Sequence, residues 1–527
     1  MNQVIMPFAG IMPRVSARLL PNQNAQVATN CNFDSGQLNP SKLPLSTGIS
    51  LVANTKSIYW FNRKENAGLG FWFQWNGDVN VVRGPIANDT NLRTYFTGDG
   101  APKFTTALLG QSGGGPYPGI TRTLGLPIPP SFNASGSTGT PAPGVQKIAT
   151  AYVITYVSEF GEEGPPSAPT AIVDRWDGAS VTLSSIPVAS GNFIIASKRI
   201  YRQELNGVFQ FVAQVAAATT AYTDTLKSEA LGEPVPSETW VAPSTEMIGL
   251  TALPNGILMG WWKNTLAFSE PYQPHAWPIE YRLALDYDIV GAAVSASGVI
   301  VTTTGKPYLI AGSSPASMSQ NPMDVVQACV AKRSVVDMGE FVIYASADGL
   351  VACGGLQAQL ITEAHITPEQ WRSTFNPSTI HAYRWNDRYL GLYSGGSFSF
   401  HPTEGFRLFT DNCDCAFLDD ETGCLYVKQG TELKKWGQGA IASYTWKSKD
   451  FTTPPSGVFG AIKVDAQAYP ITCKFYTDGT LRKTKTVSSK KPFRIPTLKR
   501  YRSCEIELTG SAAVNSVQIA SSMSEIV

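Results

Sequence analysis

Eight cysteines, four histidines and two runs of adjacent carboxylates are the side chains of this sequence with the means to do chemistry. Cys413, Cys415 and Cys424 lie close enough together to suggest a metal site. Structural zinc needs four ligands, usually two C-x-x-C pairs or one such pair with two histidines. Here the first spacing is C-x-C and the nearest histidine is His401, so the three read as strand cysteines. His275, in EPYQPHAWP, shares a Pro-rich loop with Glu270, the pairing of a base and its orienting acid. The same loop reads as a rigid connection in which Trp277 is a packing anchor. Glu162-Glu163 and Asp419-Asp420-Glu421 offer neighbouring carboxylates. A glycosidase needs two carboxyls facing each other across roughly 5–10 Å, whereas adjacent acids in a turn diverge and are solvated. No GxSxG, HExxH, Walker A or strand-to-helix GxGxxG string occurs, and Gly113-Gly114-Gly115 lacks the Lys and Ser/Thr of a phosphate loop. No catalytic, cofactor-binding or metal-ligating residue is assigned, no cofactor is expected, and the chain reads as a non-enzyme.

One charge feature stands apart. Arg482, Lys483, Lys485, Lys490, Lys491, Arg494, Lys499, Arg500 and Arg502 follow one another with no acid between them. Without these nine, 32 basic residues face 40 acidic ones, so a single basic face sits on a body of net charge about −8. The plain reading is a solvated strand and loop. Two functional readings compete with it: nucleic-acid contact with Phe493 and Tyr501 interleaved, or docking on the acidic face of another subunit. Docking predicts that charge reversal at Lys490, Lys491 and Lys499 weakens assembly and spares the fold.

The elements that must carry these residues are strands. Glycine (47), proline (36) and aromatic residues (11%) are abundant, and helix-forming blocks of Ala, Leu, Glu and Lys are few. A chain of 527 residues exceeds one core and predicts several domains. Residues 1–47 read as an irregular arm with a short helix around Asn24–Cys31. The arm either straps one domain or subunit to another or closes the first domain as a strand and turn. Residues 48–110 are aromatic hairpins turned at Asn76-Gly77-Asp78 and Gly98-Asp99-Gly100. A Gly/Pro-rich linker follows at 111–146. Residues 147–240 carry the short alternating strands of an immunoglobulin- or fibronectin-III-like sandwich, without the antibody Cys…Trp…Cys pattern. Hairpins return over 241–440, starting at Gly249, Asp288, Ser334, Ile380 and Cys415, which are 39, 46, 46 and 35 residues apart. A β-rich period of about 40–50 residues is that of propeller blades, although a sandwich or irregular barrel can be made from the same hairpins. Residues 441–527 read as a C-terminal β-sandwich. The fold class expected is therefore all-β: a propeller-like body, an inserted sandwich and a C-terminal sandwich.

Charged residues are only 15% of the chain, which predicts that neighbours cover much of its surface. The net charge of +1 argues against a polyanion binder as a whole. MNQVIMPFAGIMPR has no basic leader and no apolar run reaches membrane-spanning length, so neither a signal peptide nor membrane insertion is expected. The scattered cysteines suit a reducing cytosol.

Several strings together resemble a known family: SARLLPNQNAQVATNCNFDSGQL, TYVSEFGEEGPPSAP, LPNGILMGWWKNTLAFSEPYQPHAWP, TTTGKPYLIAGSSPASMS and KRSVVDMGEFVIYASADGLV. They are similar to the nozzle proteins, also called tail tubular protein B, of short-tailed bacteriophages. The likeness runs from about residue 10 to 440, is most specific from Pro254 to Val351, and in the last 85 residues is one of texture. It implies a structural virion protein of the viral tail, made in the bacterial cytoplasm. Six copies would form a ring below the adaptor, or head-to-tail connector, which sits on the portal. The lumen would be the last gate and conduit for genome ejection, meeting DNA transiently, and the sides would anchor fibres or spikes. A conduit that gripped phosphates would stall moving DNA, which favours docking for the basic segment. The alternative is a carbohydrate-binding or glycan-hydrolysing propeller of a phage tail.

Overall fold

The structure, a computed structural model, describes residues 2–61, 70–137, 140–177, 179–453, 458–495 and 501–526. Among them are 45 strands and two α-helices, Ala107–Gly110 and Pro368–Phe375, so the chain is all-β. Strand and burial periods agree: in Ile471–Thr477 every second residue, from Ile471 through Cys473 and Phe475 to Thr477, is buried. No helix among the described residues is long and apolar enough to cross a membrane. The chain divides into two compact units, one of Phe61–Asp288 with Gly312–Ser319, the other of Met1–Trp60, Ile289–Ala311 and Gln320–Val527.

The first of these holds two four-stranded antiparallel meanders. One comprises Asn80–Arg83, Thr94–Thr97, Lys103–Thr105 and Arg122–Thr123; the other comprises Gly249–Ala252, Leu258–Trp262, Thr265–Phe268 and Arg282–Ala284. Tyr95, Phe104, Leu250, Leu258 and Trp277 share one core between them. Between the meanders in sequence lies the expected sandwich, with seven strands in sheets of three and four. The three-stranded sheet has Val181–Ser184 in the middle, flanked by Asn133–Ser135 and Tyr222–Asp224. Two expectations fail here. Phe71–Trp75 and Asn80–Arg83 lie in different sheets, so Asn76–Asp78 joins sheets instead of turning a hairpin. Nor is 111–146 a free linker: Arg122–Thr123 completes a meander, Asn133–Ser135 an edge of the sandwich, and Leu124, Leu126 and Phe132 are buried. Apolar residues spaced among Gly and Pro were enough to dock it on both sides.

The other unit holds four-stranded meanders starting at Ile289, Val336, His381 and Cys415, each within two residues of the expected position. In the last of them, Cys415–Asp419, Cys424–Gln429 and Glu432–Lys435 take their fourth strand, Leu45–Ser50, from the N-terminal arm. The C-terminal sandwich takes two more arm strands. Asn2–Ile5 pairs with Val514–Ala520, from Asn2 against Ala520 to Ile5 against Val517. Ala25–Thr29 pairs antiparallel with Tyr444–Ser448 and, through Thr29 and Leu408, parallel with Gly405–Phe409, fusing a meander and a sandwich sheet into ten strands. The helix expected around Asn24–Cys31 is thus a strand. Ala25 and Ala28 are buried in the core, and neighbours on both sides satisfy a backbone that helical propensity alone would have coiled.

The arm approaches closely before this strand. Gly10 N–H donates to Glu404 O at 2.8 Å, and a Cβ at Gly10 would stand 2.3 Å from Phe406 O. We expect Gly10→Ala to lower unfolding free energy by roughly 2–4 kcal/mol, because backbone on the facing strand cannot yield as a side chain does. Denaturant titration checks this, and a midpoint equal to that of the parent protein refutes it.

Candidate functional site

The basic segment follows the hairpin turn at Asp478-Gly479. Among the described residues Thr480–Val487 pairs with Ile471–Thr477 alone and is the last strand of the ten-stranded sheet. Apart from Val487 and the half-buried Lys483, its residues are exposed. A bulge between Phe475 and Tyr476 leaves Arg482 unopposed, and its Nε donates to Thr477 Oγ1 at 2.9 Å. Lys483 Nζ donates to Arg494 O at 2.8 Å, which ties the strand to the opposite sheet's Phe493–Arg494. Lys490 meets Asp465 at 2.8 Å. Lys485, Lys491, Arg494 and Arg502 are exposed, with no ion-pair partner among the described residues. Lys499 and Arg500 lie outside the described residues. The seven described cations therefore have different roles, and contiguity in sequence concealed this. Lys490 is engaged, so Lys485, Lys491 and Arg494 become the informative reversals.

The aromatic residues interleaved with these cations face the other way. Tyr501 is 7% exposed; its hydroxyl accepts from Phe459 N–H at 2.7 Å, and burial pushes its pKa up to about 12. Phe493 packs against the same core. Single-stranded nucleic acid is gripped by stacking bases on exposed rings beside cations, whereas Tyr501 is buried and Phe493 is half-buried against the core. What remains is a solvent-facing cationic strand edge, suited to an acidic protein surface.

The other sequence candidates resolve into packing. All eight cysteines are buried free thiols, and burial raises Cys413 and Cys415 to about 12. No group of three or more His, Cys, Asp or Glu suited to a metal occurs among the described residues. Asp419 caps its own hairpin, accepting from Thr422 Oγ1 at 2.6 Å and Glu421 N–H at 3.3 Å.

His275 does not pair with Glu270, whose carboxylate bonds Tyr281. It meets the other acidic pair, which is buried rather than solvated. Its Nε2 lies 3.0 Å from Glu163 O, a carbonyl that can only accept, so Nε2 carries the proton and Nδ1 presents a lone pair. That lone pair faces Glu162 Oε1 at 3.9 Å, and Trp240 stands edge-on at 5.6 Å. Glu162 also accepts from Arg93 Nη1 at 2.5 Å, while Asp89 takes Arg93 Nε at 2.7 Å. Glu163 turns back into the sandwich, accepting from Thr155 Oγ1, Arg199 Nη1 and Tyr201 OH at 2.6, 2.5 and 2.6 Å. The adjacent acids do diverge, as expected, and so tie the sandwich to the first meander and to the 270–277 loop. Local spacing gave no sign of this, since Glu162 and His275 are 113 residues apart.

Burial raises the Glu162 carboxyl despite Arg93, and burial lowers His275 to about 4. The depressed histidine contributes stability above its ordinary pKa of 6.5 that is lost as pH falls toward 4. The raised carboxyl acts oppositely, its contribution being lost as pH rises through its folded pKa. We expect His275→Gln, which keeps a donor for Glu163 O, to reduce the loss of unfolding free energy between pH 6.5 and 4 by up to about 3 kcal/mol. Denaturant titrations across that range test it; identical pH slopes for the two proteins would contradict it.

No family model matches this chain, and no curated protein matches it. Among solved structures, the extracellular domain of BT4673 from B. thetaiotaomicron is 9% identical with a TM-score of 0.27, over 88% of this chain and 50% of that one. The extracellular domain of BT3049 from the same organism is 9% identical with a TM-score of 0.27, over 94% and 78%. PorZ, a surface component of the Porphyromonas gingivalis type-IX secretion system, is 12% identical with a TM-score of 0.27, over 83% and 63%. The chain spans about half the length of the BT4673 domain it aligns with.

Proposed function

We propose that this chain is a structural ring subunit of a short-tailed phage tail, of the nozzle kind. In this role six copies surround the genome's exit path and dock below the adaptor and portal. The observation that carries the reading is the uncompensated cationic edge on the C-terminal sandwich of an otherwise acidic chain. Such a surface steers and orients a protein partner of opposite charge. Two further features support it. The family-like strings from Pro254 to Val351 fall on the meander strands, with LMGWW forming Leu258–Trp262. Large apolar side chains, among them Met6, Leu19, Leu45 and Ile441, are exposed along the arm and beside it, as a subunit that buries lateral contacts requires.

Electron microscopy of the purified chain and of particles tests this. The expected result is six-fold rings, with the same protein present at the tail tip. Reversing Lys485, Lys491 and Arg494 to glutamate is expected to leave the unfolding midpoint unchanged and to cut incorporation into particles by roughly tenfold or more. A chain that stays monomeric and never enters particles would sink the proposal.

A further inference from the structure

We infer that the free edge of Thr480–Val487 is a strand-addition site, and that its partner is an acidic, extended segment of a different protein. The inference rests on the docking role proposed above and gives that contact its chemistry. A terminal strand presents a row of unpaired N–H and C=O groups. Here the row is eight residues long and free of proline. Beyond its ladder with Ile471–Thr477, no backbone hydrogen bond among the described residues reaches it.

Charge decides what pairs there. Arg482, Lys483 and Lys485 lie on the edge strand itself, and Lys491, Arg494 and Arg502 are exposed in the chain that follows. Cations on an edge repel another cationic strand, so two copies of this edge reject each other. A neutral strand would gain backbone bonds but leave the cations uncompensated. An acidic strand satisfies both, because opposite charges on facing strands attract across the ladder. Among the described residues the other terminal strands of six or more residues, Leu45–Ser50, Gln210–Ala216 and Ile289–Ser295, contain no carboxylate. The occupant is therefore another protein. Nucleic acid has no alternating backbone donors and acceptors for a sheet edge, and of the two neighbouring rings Tyr501 is buried and Phe493 half-buried.

The test uses the full chain and a fluorescent synthetic peptide alternating glutamate with threonine, followed by anisotropy. Two further peptides carry N-methyl groups on one or the other alternate set of amides, keeping the charge unchanged. The parent peptide is expected to bind. Methylation of one set should weaken binding by roughly tenfold or more, while methylation of the other set leaves it intact. The Lys485→Glu, Lys491→Glu, Arg494→Glu variant should lose binding with its unfolding midpoint preserved. The inference is overturned by absence of binding, by equal binding of both methylated peptides, or by displacement of the peptide by a single-stranded oligonucleotide. Rings without peptide binding would remove the edge site and leave the assembly role standing; peptide binding by a protein that never forms rings would do the reverse.

Discussion

The larger unit depends on a single insertion, that of Ala25–Thr29 between Gly405–Phe409 and Tyr444–Ser448. Without it a meander and a sandwich sheet would each end in an unpaired edge beside buried apolar residues, a costly arrangement for backbone polar groups. The surrounding contacts hold the arm in that slot. Trp446 Nε1 donates to Ala9 O at 3.1 Å, and the Trp446 ring takes Phe8 edge-on at 5.0 Å. On the far side Arg388 and Arg407 both reach Asp34, at 2.7 and 3.0 Å, and both also bind Glu404. Burial by itself would raise the Asp34 and Glu404 carboxyls, but the two guanidiniums reverse this and hold both below the ordinary range. An ion cluster with two buried guanidiniums adds little net stability over an apolar contact, yet removing one of its carboxylates weakens the compensation of a buried charge. Its effect is to fix the register of the arm.

The same constraint explains what could be read from sequence. Meanders are local, so their turns and alternating residues announce them, and strand starts from Gly249 to Cys415 were legible to within two residues. The arm is not local. Asn24–Cys31 carries apolar residues at spacings compatible with either a helix or a strand, and the choice belongs to partners some 380 and 420 residues away. The 111–146 segment misled for a related reason: its glycines and prolines suggested flexibility, while Leu124, Leu126 and Phe132 supplied the anchors. The basic edge was legible because its residues are contiguous. Which of them are spent internally was not, since Lys490 is compensated by Asp465 across the sandwich.

Some of the charge in this chain is spent on internal ties. Arg202, fully buried, bonds Asp224 at 2.6 Å, and Tyr152 OH bonds the same carboxylate at 2.7 Å. Lys428 Nζ, also buried, bonds Asp414 at 2.8 Å and Ala53 O at 2.9 Å. Arg93 lies between Asp89 and Glu162, with its guanidinium 5.0 Å over the Phe160 ring. Each cluster joins segments distant in sequence, and each uses cations from a chain that has few.

On a chain whose remaining residues are net acidic, a small cluster of free cations stands out. In a crowded mixed-charge surface, four exposed cations would be screened by neighbouring acids within a Debye length of about 10 Å. Lys485, Lys491 and Arg494 have no ion-pair partner among the described residues, whereas Arg502 lies beside Asp478, whose Oδ1 accepts the Arg502 N–H at 3.0 Å. Long-range attraction through this patch weakens with salt, whereas hydrogen bonds along a strand edge do not. Attraction thus governs how quickly a partner arrives, and the ladder governs how long it stays and in which register. A subunit that must seat in one orientation at a fixed place in an assembly needs both properties. The Thr480–Val487 edge has the residues for each.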